Sequence, residues 1–437
     1  MKPITQLFIL PAIRRALRSR TGIPGANSPR SMQIARRSPN VGFHLLCGFV
    51  LASGAANTAF AQNGTYTVRQ IVNPIPRTLF AGNGVEMNDL GTVTANTVSD
   101  DRSRIARQPF VCLKNGTSKV LPTLPKTSGG GNDVGASVRG ISDSGLLVGY
   151  SPSSNGGTYL PPRTAYWIPD SYGNYSVHRL DMGSLPPGLD GMVWGLSADG
   201  RFALFSGAGS TVVAELKPAD SGGLYIFRFW HLNLNAWTGG TPLTYSFGKA
   251  IHFQLEEGTV RVVGTCTVTA GYRHCFLWEL GLVNDIEPAT QTIKDATQTI
   301  KDLGPIGYFA RVDGVNGTGE AVGYLKPTSS AGFGTYWNKN SVSLTIPSLA
   351  GGSPSSINDY GWVTGSAFSG KQSSRQAIIW HPDTNITSNL NSLKLATDSS
   401  GIELTEGVRI TNSGHIVCWG LKKGNGNGVL ALASPIP

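Results

Sequence analysis

One short phrase recurs along this chain, and it constrains the fold more than any other feature. It consists of an apolar residue, then Asn, Ser or Thr, two variable residues and Gly, followed by an apolar run that ends in a small residue. A degenerate seventh copy surrounds Gly258. The six clear copies are Met87–Gly91, Ile141–Gly145, Leu196–Gly200, Val315–Gly319, Ile357–Gly361 and Ile410–Gly414. A fixed internal period predicts a series of equal supersecondary units.

Each phrase has the chemistry of a β-hairpin. The Asn or Ser side chain can bond a backbone group two residues on, which initiates a turn. Gly supplies the positive φ that a short hairpin loop requires. A calcium loop also contains Asn, Asp and Gly, but no copy carries the spaced Asp and Glu ligands that calcium needs. The phrase therefore predicts strand, turn, strand, and no metal site.

A third strand follows in most repeats and ends in tryptophan. One large aromatic residue per repeat is the usual filling between adjacent sheets, and a carbohydrate platform is the alternative. A fourth strand, such as Tyr175–Leu180, completes the repeat. The five tryptophans are Trp167, Trp230, Trp278, Trp337 and Trp380. We predict four-stranded repeats of about 54 residues, the common spacing of the turn glycines.

The two ends of the repeat array complement each other. The last repeat reaches Pro437 without a fourth strand, and Tyr66–Ile71 resembles the fourth strand Tyr175–Leu180. If the N-terminal strand completes the last sheet, the ring closes without a free sheet edge at the joint. An open solenoid would instead need capping repeats. We therefore predict an all-β fold, a seven-bladed β-propeller that forms a single domain over residues 62–437.

The positive charge of the chain is concentrated at its N-terminus. The formal net charge is +10, but residues 1–61 hold eight Lys and Arg and no acidic residue. The remainder is nearly neutral, which argues against binding a nucleic-acid backbone. Only 14% of the residues are charged, with 56 glycines and 26 prolines, a balance typical of short strands and tight turns.

Residues 1–61 have the features of a secretory signal peptide. Arg36 and Arg37 precede an apolar stretch, which ends in the small-x-small pattern Ala59-Phe60-Ala61. We predict cleavage after Ala61 and export to the periplasm, the cell surface or the medium. Because a 61-residue leader is long, Met32 is an alternative start. No later segment is long and apolar enough to span a membrane.

The phrase Ile/Val-Asn-x-x-Gly-x-x-Val-Gly, followed by a strand that ends in Trp, resembles the HAF-type extracellular repeat family of bacteria. The resemblance covers nearly all of residues 62–437, although three copies depart from the pattern. Cys112 stands where Trp is expected, Gly258 lacks its Asn, and Cys418 replaces a glycine. The resemblance implies an exported, propeller-like repeat protein, and it implies no particular activity.

Four cysteines follow the predicted cleavage site. An even number in an exported chain suggests disulfides, with three possible pairings. Cys266 and Cys275 lie on consecutive strands of one repeat, while Cys112 and Cys418 lie in the first and last repeats. We predict the pairs Cys266–Cys275 and Cys112–Cys418, with buried free thiols as the alternative. The spacings show no zinc pattern.

The candidate ligand site follows from the predicted architecture. The sequence contains no HExxH motif, recognisable triad or nucleotide-binding glycine loop, so we predict no cofactor and no metal. A ligand would sit at the mouth of the central channel, where the innermost strands converge. Arg139, Trp194 and Asp313 share one variable column of those strands, as ligand contacts would. Ordinary solvent-exposed positions would show the same pattern.

We therefore expect a monomeric, non-catalytic binding module for a glycan or a surface protein. The first alternative is a propeller enzyme, a hydrolase or lyase acting on polysaccharide. Its paired carboxylates would come from distant blades, so no local motif would reveal them. The second alternative is a structural envelope component without a single pocket.

Overall fold

The computed structural model describes residues 65–436, apart from several short internal gaps. The predicted leader, its cleavage after Ala61 and the alternative start at Met32 lie outside the described residues. The gaps are 76–77, 82–83, 100–106, 127–132, 156–157, 220–221, 234–242, 269–272, 283–295, 305–308, 328–331 and 369–374, and the single positions 134, 153, 160, 184 and 351. The described residues contain no helix, and therefore no helix that could cross a membrane.

Seven antiparallel sheets form the seven blades of a β-propeller, as predicted. In blades 1 to 6 the chain runs from the innermost strand outward, and in blade 7 the outermost strand is the N-terminal β1. Blade 1 has an interrupted innermost strand, because β2 and β3 both pair with β4. A small hairpin, β9 with β10, interrupts blade 2.

The strands are β1 Tyr66–Ile71; in blade 1, β2 Thr78–Phe80, β3 Glu86–Met87, β4 Val93–Ser99, β5 Arg107–Cys112 and β6 Ser118–Val120; in blade 2, β7 Ser137–Ile141, β8 Leu147–Ser151, β9 Ser154–Asn155, β10 Thr158–Tyr159, β11 Arg163–Pro169 and β12 Tyr175–Arg179; in blade 3, β13 Val193–Leu196, β14 Phe202–Gly207, β15 Ser210–Pro218 and β16 Leu224–His231; in blade 4, β17 Leu243–Gln254, β18 Thr259–Val268, β19 Arg273–Gly281 and β20 Thr297–Asp302; in blade 5, β21 Phe309–Val315, β22 Ala321–Lys326, β23 Phe333–Trp337 and β24 Ser343–Ala350; in blade 6, β25 Ser353–Ile357, β26 Val363–Phe368, β27 Arg375–His381 and β28 Ile386–Asn389; and in blade 7, β29 Ile402–Ile410, β30 Ile416–Lys422 and β31 Gly428–Pro435.

The hydrophobic core is divided among the interfaces between adjacent blades. Seven clusters of buried side chains fill the seven interfaces, including the one between blades 7 and 1. Successive residues of a strand point to opposite faces of the sheet, so a middle strand contributes to two clusters. In β14, Phe202 and Leu204 pack toward blade 4, while Ala203 and Phe205 pack toward blade 2.

The N-terminal strand closes the ring, as the sequence predicts. β1 pairs antiparallel with β31 over its full length, from Tyr66 opposite Pro435 to Ile71 opposite Leu430. Tyr66 and Ile71 are buried, so the strand also contributes side chains to the core. Blade 7 is therefore built from both ends of the described chain.

The predicted turns and tryptophans are confirmed. All seven turn glycines, from Gly91 to Gly414, have positive φ between 60° and 85°. Trp167, Trp278, Trp337 and Trp380 are fully buried between blades, which excludes them as a carbohydrate platform. Trp230 is half-buried and packs at the margin of the cluster between blades 3 and 4.

The two predicted disulfides are absent, because the four cysteines are buried free thiols. Cys266 lies opposite His274 in the β18–β19 ladder, whereas Cys275 lies opposite Thr265. The two side chains therefore point to opposite faces of blade 4, and each packs in a different cluster. Burial raises the pKa of the Cys266 thiol to about 12, which leaves it unreactive.

The second pair fails for the same geometric reason. Cys112 faces the cluster between blades 7 and 1. Cys418 points from the opposite face of blade 7 into the cluster between blades 6 and 7. Ring closure brings the two blades together, but the strand alternation turns one thiol away from the other.

Candidate functional site: the central channel

A β-bulge in the innermost strand aims one side chain per blade at the central channel. In blade 2 the pairing skips from Val138 to Gly140, and the same irregularity recurs at the equivalent place in blades 3 to 7. A bulge bends the strand and redirects the extra side chain. The residues at the bulges are Arg139, Trp194, Lys249, Asp313, Ser355 and Val408.

The channel contains two cavities, with volumes of about 180 and 200 Å³. The turn-side cavity lies next to the hairpin phrases, and the opposite cavity lies beside Arg311 and Trp419. Sites for drug-sized ligands span roughly 300–1,000 Å³, so each cavity fits a small group or the end of a chain. Six side chains line both cavities, namely Glu86, Arg139, Trp194, Lys249, Asp313 and Arg409.

The structure places all three residues of the predicted column in this channel. Arg139, Trp194 and Asp313 come from blades 2, 3 and 5, and each is half-buried. Their neighbours in the innermost strands, such as Val138, Val193 and Val312, are buried in the interfaces. The position of the column is therefore as expected, and its role in binding stays a prediction.

Sequence reasoning missed the other charged residues of the channel. In blades 2, 3 and 5 the turn glycine follows the bulge residue by six positions, but Gly258 follows Lys249 by nine. Because the hairpin of blade 4 is longer, aligning the repeats on their turn glycines does not place Lys249 in the column. In blades 1 and 7 the column position, six residues before the turn glycine, is occupied by Val85 and Val408. The charged residues Glu86 and Arg409 each follow this valine by one position.

The two carboxylates that line both cavities are already paired. Arg409 donates two hydrogen bonds of 2.8 Å to the Glu86 carboxylate, which joins blade 7 to blade 1. Arg311 donates to Asp313 Oδ2 at 2.7 Å. Burial raises the pKa of Asp313, although the charges of Arg311 and Lys249 oppose the shift.

Two cations of the channel have no carboxylate within ion-pair distance among the described residues: Arg139 and Lys249. The Arg139 guanidinium lies 4.7 Å from the centroid of the Trp194 ring and 5.5 Å from that of Tyr150. The Lys249 ammonium lies 5.7 Å from the Trp194 ring. The indole N–H of Trp194 donates to Ser206 O at 2.9 Å, which fixes the orientation of the ring.

The acidic residues at the turn-side mouth link the blades. The backbone N–H of Asp89 donates to Asp143 Oδ1 at 3.0 Å, and that of Gly317 donates to Asp359 Oδ1 at 2.7 Å. Across the closing interface, Asn412 N–H donates to Asp89 Oδ1 at 2.9 Å. These side chains therefore have a structural role in the ring. No cluster of three or more metal-ligating side chains occurs in the described part of the chain.

We expect Asp143→Asn to stabilise the protein at neutral pH. Burial raises the pKa of Asp143, and the carboxylates of Asp89, Asp199 and Asp359 add to the effect. The ionised form is therefore less favourable in the folded chain than in the unfolded chain, so wild-type stability rises as the pH falls through the raised pKa. The amide can still accept the bond from Asp89, as Asn412 accepts one from Asp359.

The gain at pH 7 should be up to about 1 kcal/mol, and it should vanish below about pH 4, where Asp143 is protonated in both states. Urea unfolding of both proteins across this range measures the difference. A variant that is less stable than wild type at pH 7 would show that the carboxylate charge itself is needed.

Comparison with known proteins adds structural neighbours only. No family model and no curated protein matches the chain. An acylaminoacyl peptidase from Pyrococcus horikoshii matches 86% of this chain at 11% identity with a TM-score of 0.46, and this chain spans about half of it, 52%. A proposed 6-phosphogluconolactonase from Bacteroides fragilis matches 84% of this chain, and 95% of its own length, at 11% identity with a TM-score of 0.38. These values support no conclusion about function.

Proposed function

We propose that this protein is an exported, non-catalytic binding protein that recognises a glycan through the central channel. The observation that carries the proposal is the convergence of six polar or aromatic side chains from six blades on one channel. Bulges place three of them in the channel, namely Arg139, Trp194 and Lys249. None of these three forms an ion pair with a carboxylate among the described residues. The composition of residues 1–61 supports export.

The tryptophan gives the proposal a direct test. A glycan array probed with purified residues 62–437 at two salt concentrations should give salt-resistant hits. Trp194→Ala should abolish them, because it removes the ring that holds Arg139 and shapes the channel. Tyr172→Ala is the matched control, since Tyr172 is 83% exposed and lies outside the channel. Thermal unfolding of both variants shows whether each is folded.

The outcomes are distinct. Hits that survive Trp194→Ala would place the glycan elsewhere on the surface. A silent array would argue against glycan binding and favour a surface protein or a structural role in the envelope. Cross-linking in the native envelope would then identify the neighbour.

A propeller enzyme acting on polysaccharide is the second candidate, and Asp313 favours it. A general acid needs a raised pKa, and burial raises the pKa of this carboxyl group in the channel. The ion pair with Arg311 weighs against this role, because it favours the charged form. Incubating any bound glycan with the protein and assaying for new reducing ends or unsaturated sugars decides between the candidates. Asp313→Asn should abolish turnover if there is any.

A further inference from the structure

We propose that the channel ligand is a saccharide bearing a carboxylate, a uronic acid residue, and that Arg139 and Lys249 together hold this carboxylate. The inference rests on the function proposed above and names its ligand class. It predicts that acidic saccharides are preferred over neutral saccharides of the same size.

The six side chains that line both cavities include three cations and two carboxylates, and this net positive charge points to an anion. Glu86 is held by Arg409, and Asp313 is held by Arg311. Arg139 and Lys249 are therefore left as cations beside the same indole ring, with no anion paired to either among the described residues.

The burial of Arg139 Nε supports the same conclusion. Arg139 Nε is buried and has no hydrogen-bond partner in the described part of the structure. The surrounding protein lowers the pKa of Lys249 by desolvation, although Asp313 partly opposes this. Arg139 Nε is therefore a donor held away from bulk water at a cost that a bound acceptor would offset, whereas the Lys249 side chain is exposed in the channel.

The remaining polar groups favour a sugar over a bare anion. A planar carboxylate matches the fork of a guanidinium, which can donate two parallel hydrogen bonds. The paired carboxylates of Glu86 and Asp313 can still accept hydrogen bonds from hydroxyl groups, and Ser355 adds a hydroxyl in the opposite cavity. The same two carboxylates would repel the second charge of a phosphate dianion.

The test is calorimetric titration of residues 62–437 with five probes. The probes are oligogalacturonate, oligoglucuronate, the carboxyl-reduced form of each as its neutral counterpart, and inorganic phosphate. At least one uronate should bind, and its carboxyl-reduced form should bind roughly tenfold to hundredfold more weakly. Arg139→Gln and Lys249→Gln should each weaken uronate binding by a similar factor and weaken any neutral binding much less. Arg139→Lys should retain part of the affinity.

Lys423→Gln is the matched control, because Lys423 is exposed on the loop after β30. Neutral probes that bind as tightly as uronates, and lose binding with Trp194→Ala, would overturn this inference while the proposed function stands. Phosphate binding as tight as uronate binding would overturn it as well, because a bare anion would suffice. Uronate binding that is unaffected by either glutamine substitution would exclude these two residues. If no saccharide binds, the proposed function fails, and this inference fails with it.

Discussion

Removal of residues 62–71, which include β1, is expected to lower the free energy of unfolding by roughly 5 kcal/mol or more. Tyr66 and Val68 pack in the cluster between blades 6 and 7, and Ile71 packs in the cluster between blades 7 and 1. Burial of a large apolar side chain contributes about 1.5–3 kcal/mol, so three such side chains account for the estimate. The deletion also exposes the backbone edge of β31, which can then pair with another copy.

Guanidinium unfolding of residues 62–437 and 72–437 measures the loss, and light scattering detects association. A peptide of residues 65–72, added to the truncated protein, should restore much of the stability by adding a strand to the free edge. The same peptide with Val68→Asp should fail, because the side chain at 68 is buried. A truncated protein within about 1 kcal/mol of wild type would show that closure by this strand contributes little.

Two proline variants separate the backbone contribution from the side chains. Ile436 N–H donates to Thr65 O, and alternation of the antiparallel ladder then directs the N–H of Thr67 toward β31. Tyr66 N–H donates instead to Leu393 O, on the side away from β31. Gln70 follows Tyr66 by four residues, so its N–H points to the same side, away from β31. Both Thr67 and Gln70 are exposed. Thr67→Pro should therefore cost more stability than Gln70→Pro.

The fold could be predicted because its determinants are local and repeated. A turn glycine needs positive φ whatever surrounds it, so Gly145 and Gly361 could be recognised from the phrase alone. The resemblance of Tyr66–Ile71 to another fourth strand predicted its partner correctly. In each case one repeat supplies the template for interpreting another.

The details that escaped prediction depend on register. Two cysteines on neighbouring strands can meet only if their side chains point to the same face of the sheet. A shift of one residue in the register moves a side chain to the other face. This is why Cys266 and Cys275, close in sequence, lie in different clusters. Lys249 escaped because three additional residues in its hairpin change the count from the turn glycine. The bulge that aims it at the channel has no sequence signal of its own.

The Asn of the phrase has a second role that a single repeat does not reveal. In Asn358, Oδ1 accepts the N–H of Trp362 at 2.9 Å and closes its own turn. Nδ2 of the same side chain donates to Thr411 O of blade 7 at 2.9 Å. Asn88 and Asn316 make the equivalent pair of bonds. Blade 4, which lacks this Asn, uses Arg261 to donate to Gly317 O of blade 5.

Asn358→Ala is therefore expected to destabilise the protein by roughly 3–4 kcal/mol. Asn358 is 6% exposed, and the substitution leaves the N–H groups of Trp362 and Tyr360 without this acceptor, while Thr411 O keeps only the Gly414 N–H. Each unsatisfied buried group costs about 1–3 kcal/mol. Ser142→Ala is the matched control, because Ser142 Oγ accepts Leu146 N–H within its own turn and makes no bond to the described residues of blade 3. This control should lose only about 1 kcal/mol.

Asn358→Asp distinguishes the two roles of the side chain. The carboxylate can still accept the N–H groups of its own turn, but it cannot donate to Thr411 O and instead brings two acceptors together. If the link between blades contributes stability, urea unfolding should show a loss for Asn358→Asp that approaches the loss for Asn358→Ala. If the aspartate variant is as stable as wild type, the turn alone explains why Asn recurs in the phrase. The ring would then not depend on the bonds that these Asn side chains donate to the next blade.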